Sequence, residues 1–317
     1  MFSRQKVVVT GGAGFIGSHI VDRLVEANAS VTVIDNFSTG RESFLNPAAT
    51  LVRGDLLDQS LVDRAVEGAT MVFHLAANAD IKDGLKHPRR DVEQNVLATQ
   101  NVLEAMRKAG VQRIAFSSTG SVYGEPSVFP TPEDAPFPVQ TSLYATSKVA
   151  AEGLLTSYAL GYGFQSWIFR FVSILGPRYT HGHVFDFWRK LRQDPTSLHI
   201  LGDGRQLKSY CHVSDCVDGI FLAVAAGHDD SGIRIYNIGR DDMLEVNTSV
   251  SYICRELGVA PQLTYSGGAR GWVGDSPKIL LDAARLRRLG WSPKYSLEAS
   301  VVDTLQYLVQ HPEMAPE

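Results

Sequence analysis

The amino-acid sequence predicts an α/β protein with a doubly wound parallel sheet and a smaller C-terminal α/β domain. The first observation is a β-branched apolar run, Val7 to Val9, which leads through a glycine-rich turn into an amphipathic helix. Such a run is typical of a buried parallel strand. The second is that strand and helix signals alternate through the first half of the chain. The third is the loss of this alternation after Arg170, where we place the start of the second domain.

The bulk composition is that of an ordinary globular chain. Of 317 residues, 44% are hydrophobic and 20% are charged, and the net charge is −4, so we expect neither a nucleic-acid nor a membrane partner. No apolar run approaches the about 18 residues of a membrane span, and the early first strand leaves no room for a signal peptide. The three cysteines lack metal-ligand spacing, so we expect buried thiols, no metal site and a cytoplasmic protein.

The glycine-rich turn after the first strand predicts a dinucleotide-binding site. Its residues, GGAGFIG, contain both G-x-G-x-x-G and G-x-x-G-x-x-G, and the pattern alone does not choose between them. Glycine allows the tight turn and the close approach of a pyrophosphate, which the N-terminal amides of the next helix, Phe15 to Ala27, would bind. The candidate contacts are Gly11, Gly14, Phe15, Ile16 and Gly17.

Asp35 follows the second predicted strand, Val31 to Ile34. A carboxylate in this place accepts hydrogen bonds from the adenosine ribose and repels a 2′-phosphate, which favours NAD over NADP. Arg41 is close enough in sequence to leave NADP open. The turn after the strand supplies four further candidates for cofactor contact, Asn36, Ser38, Thr39 and Gly40.

Later strand ends carry more candidates for cofactor contact. Small residues there let a cofactor lie against the backbone. Asp55, after the third strand (Thr50 to Val52), either accepts from the adenine amino group or caps the helix from Gln59 to Val66, and both can hold. The candidates at these strand ends are Asp55, Leu56, Leu75, Ala76, Ala77 and Ser117.

A longer helix is predicted from about Arg90 to Ala109. The residues expected to face the core are Val92, Val96, Leu103 and Met106. Asn95 lies inside this helix, where a polar residue is ordinarily solvated.

Tyr144 and Lys148 lie one turn apart at the start of a helix predicted from Ser142 to about Leu160, so their side chains share one face. A tyrosine with its ordinary pKa of about 10 is a poor base at neutral pH, and a nearby ammonium lowers that pKa. Most Y-x-x-x-K pairs are surface pairs. Here the pair follows a glycine-turn unit and a strand end rich in hydroxyl groups, which favours a catalytic pair.

Several motifs together resemble the extended branch of the short-chain dehydrogenase/reductase superfamily, and within it the nucleotide-sugar epimerases related to UDP-glucose 4-epimerase. They are TGGAGFIGSH, HLAA, SSTGSVYG, YATSK, LGDGRQLKSY and RGWVGD, and the match covers nearly the whole chain. The resemblance implies an NAD-binding Rossmann domain over residues 1–171, with a returning segment near 211–239, and a nucleotide-sugar domain over residues 172–317. It also implies a homodimer and a nucleotide-sugar substrate, with a UDP-sugar favoured.

The resemblance implies roles for particular residues. Tyr144 would take the proton from the sugar 4-hydroxyl, Lys148 would lower the tyrosine pKa and hold the nicotinamide ribose, and Thr119 would hydrogen-bond the 4-oxygen. It also adds Asn95 to the cofactor contacts. The implied substrate contacts are Asp80, Thr119, Gly120, Ser121, Tyr144, Ser173, Lys208, Tyr210, Arg270 and Asp275.

The predicted activity is an NAD-dependent nucleotide-sugar 4-epimerase, with UDP-glucose and UDP-galactose as the favoured pair. The alternatives are 4-epimerisation of UDP-glucuronate or a UDP-N-acetylhexosamine, a dehydratase, decarboxylase or reductase of the same branch, and a non-catalytic NAD-binding regulator. Related dehydratases carry T-D-E where this chain has Thr119-Gly120-Ser121. Ser173 and Lys208 replace an asparagine and an arginine that relatives often carry, so the sugar and the nucleotide stay open.

Overall fold

The structure is a computed structural model that describes residues 1–81, 83–227, 232–271 and 278–315. Across those four ranges, no helix is both long enough and apolar enough to cross a bilayer. The chain divides into two compact units. The first unit is Met1–Glu125, Pro136–Arg170 and Val217–Tyr236, and the second is Pro126–Ala135, Phe171–Cys216 and Asn237–Glu317. The functional division into an NAD-binding and a substrate domain stays a prediction.

The strands and helices have the following bounds. The strands are β1 (Lys6–Thr10), β2 (Ser30–Asp35), β3 (Thr50–Arg53), β4 (Met71–His74), β5 (Arg113–Thr119), β6 (Gln165–Phe171), β7 (Ser173–Leu175), β8 (Ser197–Ile200), β9 (Leu207–Lys208), β10 (Tyr210–His212), β11 (Ile233–Ile238), β12 (Leu244–Glu245), β13 (Gln262–Tyr265) and β14 (Lys278–Ile279). The helices are α1 (Phe15–Glu26), α2 (Gln59–Val66), α3 (Pro88–Asp91), α4 (Ala98–Ala109), α5 (Leu143–Tyr162), α6 (His183–Gln193), α7 (Val213–Ala225), α8 (Val246–Leu257), α9 (Ala284–Arg287) and α10 (Leu297–Gln310).

The central sheet confirms the predicted fold class. It has seven strands in the order β11-β6-β5-β4-β1-β2-β3. Strand β1 pairs in parallel with both β2 and β4, and Val7, Val8 and Val9 are fully buried. The chain order reverses between β1 and β4, and ligands of such sheets bind outside the carboxyl ends of the strands at this reversal.

The predicted orientation of Val92 is wrong. Its side chain is 49% exposed, whereas Leu103 and Met106 on α4 are fully buried as predicted. The reason is a π-helical stretch, Val92–Leu97, between α3 and α4. A π-turn closes one residue later than an α-turn, so a periodicity of 3.6 residues loses its phase across it.

The second unit contains three small sheets, β10-β7, β12-β9-β14 and β13-β8. The sequence predicts three helices in this unit, around Val184 to Arg192, Val246 to Leu257 and Ala283 to Leu289. Helix α8 has the predicted bounds, and the ends of α6 and α9 differ from the predicted ones by one or two residues. Helices α7 and α10 are absent from the prediction. A helix such as α7, which is apolar on most of its surface, lacks the amphipathic period that would reveal it.

Candidate active site

The glycine turn has the geometry that a dinucleotide site needs. Gly11 has a positive φ of 69°, and a Cβ on Gly17 would lie 2.1 Å from the carbonyl oxygen of Gly11. Gly14 is the N-cap of α1, whose first turn presents backbone N–H groups and the positive end of the helix dipole. A pyrophosphate is the natural ligand of this arrangement, so the residues present fit a dinucleotide.

Asp35 ties the end of β2 to the glycine turn. Its Oδ2 accepts from the backbone N–H of Ala13 at 2.9 Å, and its Oδ1 accepts from that of Phe37 at 2.8 Å. A Cβ on Gly40 would lie 2.9 Å from Oδ1, so a side chain at this position would crowd the carboxylate. Each carboxylate oxygen can accept a second hydrogen bond, which leaves capacity for ribose hydroxyls.

Asp55 lies beside the end of β2. Asn36 donates from Nδ2 to Asp55 Oδ2 at 2.9 Å, and the backbone N–H of Leu57 donates to Oδ1 at 2.9 Å. The alternative that Asp55 caps α2 is wrong, because the cap is Asp58, whose side chain accepts from the backbone N–H groups of Ser60 and Leu61. A contact between Asp55 and adenine stays a prediction.

The end of β4 packs directly on the glycine turn. The backbone N–H of Leu75 donates to Thr10 O at 3.1 Å, and that of Ala76 donates to Thr10 Oγ1 at 3.3 Å. A Cβ on Gly11 would lie 2.7 Å from Ala76 N, so backbone meets backbone here. Leu75 and Ala76, two of the predicted contacts on this segment, therefore adjoin the predicted pyrophosphate site.

Lys148 is buried against the end of β5. Its Nζ donates to Ser117 O at 2.8 Å and lies 4.7 Å from the centroid of the Phe116 ring. The side chain is 1% exposed. Burial lowers the pKa of Lys148 to about 7, and the nearby Glu152 carboxylate opposes this shift. The charge of Lys148 therefore depends on the charged groups beside it.

Tyr144 and Thr119 are brought together by α5 and the end of β5. Ser142 Oγ accepts from Ala145 N at 3.1 Å and thereby caps α5, so the helix starts where Tyr144 meets β5. The Tyr144 hydroxyl hydrogen-bonds the Thr119 side chain. Burial raises the pKa of Tyr144 to about 12, the charge of Asp91 adds to that rise, and the Thr119 hydrogen bond opposes it.

These two pKa values have a chemical consequence. Burial opposes the charged form of both side chains, because it raises the pKa of Tyr144 and lowers the pKa of Lys148. The protein alone therefore does not generate the phenolate that the sequence predicts as the base. A further positive charge beside the pair would be needed to favour that phenolate.

Asn95 lies behind the first turn of α5. Its Nδ2 donates to Ser147 Oγ at 2.9 Å and to Asn78 O at 3.1 Å, and Ser147 Oγ in turn donates to Tyr144 O at 2.7 Å. Asp91, one turn earlier, accepts from Asn78 Nδ2 at 2.9 Å. Asn95 thus positions the segment that carries Tyr144, and a contact with the cofactor stays a prediction.

The predicted substrate residues fall in both units. In the first unit, Gly120 and Ser121 form the short 3₁₀ turn after Thr119, with Ser121 N donating to Thr119 Oγ1 at 3.1 Å. Asp80 is exposed on the segment that follows β4. Asp275 lies outside the described residues.

In the second unit, Ser173 and Tyr210 are paired across β7 and β10, and Lys208 on β9 comes two residues before Tyr210. Arg270 is exposed. No local sequence pattern singles out His183, whose ring lies 4.9 Å from that of Tyr210 and whose Nε2 is 2.8 Å from Ser249 Oγ. Burial lowers the pKa of His183 to about 3, and the charge of Lys208 adds to this shift.

Charged residues that the sequence did not single out also surround the site. They are Asp91, Glu152 and Arg170, and all three are buried. Asp91 precedes Asn95 by four residues, and Glu152 follows Lys148 by four. This spacing places the two residues of each pair on one helix face, and it is the pattern by which the sequence could have identified Asp91 and Glu152. No three His, Cys, Asp or Glu side chains among the described residues are arranged to hold a metal ion.

Comparison with known proteins gives consistent matches. Residues 7–239 match the model of the NAD dependent epimerase/dehydratase family. The UDP-glucose 4-epimerase of Mycolicibacterium smegmatis is 32% identical over 314 residues, which cover 96% of this chain and 98% of the relative.

Solved structures match along almost the whole chain. A crystal structure of UDP-galactose 4-epimerase is 36% identical with a TM-score of 0.88, covering 96% of this chain and 99% of the other. The UDP-glucose 4-epimerase of Thermotoga maritima, solved with UDP-glucose, is 34% identical with a TM-score of 0.89, covering 97% and 99%.

Proposed function

Since this chain belongs to the NAD dependent epimerase/dehydratase family and is an NAD-dependent nucleotide-sugar epimerase, we propose that it interconverts UDP-glucose and UDP-galactose at C4. The observation that carries the proposal is the contact of Tyr144 with Thr119 beside buried Lys148. Tyr144 can accept and return one proton, and Thr119 can hydrogen-bond one substrate oxygen. The charge of Lys148 depends on the charged groups beside it.

Each residue has a defined part in the proposed reaction. Tyr144 removes the proton from the sugar 4-hydroxyl and later returns one, while Thr119 holds the same oxygen by a hydrogen bond. Lys148 is held against Ser117 O, and in its protonated form its charge would favour the ionised form of Tyr144. Bound NAD supplies a reversible acceptor for the hydride of C4.

Epimerisation rather than dehydration is favoured by the 3₁₀ turn Gly120–Tyr123. The turn consists of a glycine, a serine, a valine and a tyrosine, so it contains no carboxylic acid. Loss of water from a 4-keto sugar needs a general acid, and a serine hydroxyl is a poor one at neutral pH. Oxidation at C4 and return of the hydride to the other face do not need the two acidic residues that related dehydratases carry in place of Gly120 and Ser121.

Lys208 is proposed as a diphosphate ligand. A cation at this position binds phosphate oxygens as a point charge, without the bidentate fork of an arginine. Because Lys208 leaves the identity of the nucleotide open, the experiment below varies both the nucleotide and the sugar.

The test is incubation of the NAD-loaded enzyme with UDP-, GDP-, CDP- and dTDP-glucose, and with UDP-glucuronate and UDP-N-acetylglucosamine. We expect UDP-glucose to give a product of unchanged mass with inverted C4, read by mass spectrometry and NMR. A product lighter by one water would show a dehydratase, and one lighter by CO₂ a decarboxylase. Faster turnover of UDP-glucuronate or UDP-N-acetylglucosamine would replace the proposed substrate.

We also propose a homodimer formed through the helices over 92–109 and 145–160. Both carry exposed apolar side chains, with Val92 at 49%, Leu97 at 48% and Leu160 at 78% exposure. Analytical ultracentrifugation should give twice the chain mass, and Leu160→Lys should shift it toward the monomer. A monomer at micromolar wild-type concentration would contradict this proposal.

A further inference from the structure

A buried ion pair lies one helical turn beyond Lys148. Glu152 on α5 accepts from Arg170 on β6 through two hydrogen bonds, Nε to Oε1 at 3.0 Å and Nη2 to Oε2 at 2.7 Å. The side chains are 4% and 3% exposed. Such a bidentate pair has one well-defined geometry, so it fixes the position of whatever else it binds.

The same two side chains hold both ends of the strand segment that carries Thr119. Ser118 Oγ donates to Glu152 Oε1, and Arg170 Nη1 donates to the Tyr123 hydroxyl at 2.7 Å. The Arg170 guanidinium also lies 4.9 Å from the centroid of the Tyr123 ring. Ser118 and Tyr123 bracket the residues 119–122, so this segment is attached at each end to one rigid ion pair.

Stability alone is a weak explanation for this arrangement. Taking two charges out of water costs about as much as their attraction returns, so a buried ion pair adds little net stability. What it does supply is a fixed separation between the elements it joins. Here the pair joins α5, which carries Tyr144 and Lys148, to β6, and through Ser118 and Tyr123 it also holds the end of β5, which carries Thr119.

We propose that Ser118, Tyr123, Glu152 and Arg170 form a clamp that holds Thr119 in hydrogen-bonding contact with Tyr144. The inference rests on the proposed function, because that contact matters only if the two hydroxyl groups act on one substrate oxygen. The four residues are positioning residues, and they act through Thr119 and α5. Misplacing a reacting group by about 1 Å can cost on the order of 10²-fold in rate, so the clamp affects turnover more than binding.

The variants must loosen the clamp without unfolding the chain. Glu152→Gln would remove the counter-charge of a buried guanidinium and is expected to destabilise the fold strongly. The double variant Ser118→Ala/Tyr123→Phe keeps the ion pair and removes only its two hydroxyl contacts. The matched control is Ser166→Ala/Tyr158→Phe, which removes two largely buried hydroxyls that do not contact the ion pair. Ser166 Oγ donates to Leu155 O, and the Tyr158 hydroxyl accepts from Gln100 Nε2 and donates to Glu104.

We expect the clamp variant to lose about 10- to 100-fold in kcat, with KM and NAD affinity within about twofold of wild type. The control should keep kcat within about twofold, with a similar fall in Tm. An equal loss of kcat in both variants, or a loss below about threefold in the clamp variant, would overturn the proposal. Such a result would mean that the four residues contribute only to the stability of the fold.

A second measurement does not depend on the reaction. Amide hydrogen exchange over residues 119–124 should be faster in the clamp variant than in both the wild type and the control. If the wild type turns over none of the nucleotide sugars, the proposed function fails while the exchange comparison still decides whether the clamp exists. Unchanged exchange in the clamp variant would overturn the clamp whatever the substrate is.

Discussion

Binding of NAD⁺ is expected to lower the pKa of Tyr144 by several units. In the protein alone, burial raises that pKa to about 12 from the ordinary value of 10.0. At about 1.4 kcal/mol per unit, the rise makes ionisation of Tyr144 about 3 kcal/mol more costly than in water. For Tyr144 to serve as a base near pH 8, about 5 kcal/mol of preferential stabilisation of the phenolate has to accompany cofactor binding.

The measurement is a difference titration that isolates one tyrosine among the 11 of the chain. The phenolate absorbance of wild type minus that of Tyr144→Phe is recorded against pH, first without cofactor and then with NAD⁺. The stripped protein should show no Tyr144 ionisation below about pH 11, and NAD⁺ should lower the midpoint by at least about two units. Tyr162→Phe, which removes an exposed tyrosine of the same helix, is the matched control and should leave the Tyr144 transition in place.

Two results would contradict the expected effect of NAD⁺ on Tyr144. Ionisation of Tyr144 at or below about pH 10 in the stripped protein would mean that burial does not oppose the phenolate. A midpoint that NAD⁺ does not move would mean that the cofactor charge does not reach Tyr144. Turnover provides an independent check: Tyr144→Phe should lose about 10²- to 10⁴-fold while NAD still binds, and a loss below about threefold would remove Tyr144 from its role.

The other predictions concern charge, cofactor choice and close packing. Asp91→Asn removes a negative charge that raises the pKa of Tyr144, so the rise of kcat/KM with pH should move to lower pH; no shift would show that this charge does not reach the tyrosine. In fluorescence titrations the wild type should bind NAD(H) more tightly than NADP(H). Asp35→Ala should weaken NAD binding and reduce the difference in affinity between the two cofactors. Equal affinities of the wild type for both cofactors would contradict the role of Asp35. Gly17→Ala should lower the free energy of unfolding by about 1–3 kcal/mol and weaken NAD binding, because its Cβ meets a backbone carbonyl; wild-type Tm and affinity would contradict the close contact. Lys208→Gln should raise KM for the nucleotide sugar about tenfold or more at nearly constant kcat, and an unchanged KM would remove Lys208 from the diphosphate site.

Local patterns in the sequence are enough to predict the fold class and the candidate base. The apolar run before the glycine turn, the acid at the end of β2 and the Tyr144/Lys148 spacing are all local patterns. Glycine sterics and helical periodicity act over a few residues, so they can be read without the fold. The predicted bounds of α2 and α8 agree with the structure for the same reason.

Which charged groups surround those residues depends on the packing of the folded chain. Ser118 and Glu152 are 34 positions apart in the chain, Tyr123 and Arg170 are 47 apart, and Asn95 and Ser147 are 52 apart. No local pattern pairs residues at such separations, and the pKa of Tyr144 depends on burial that only the packed chain creates. The sequence thus places Tyr144 and Lys148 on one face of a helix, while the fold determines the free-energy cost of ionising Tyr144 beside Lys148.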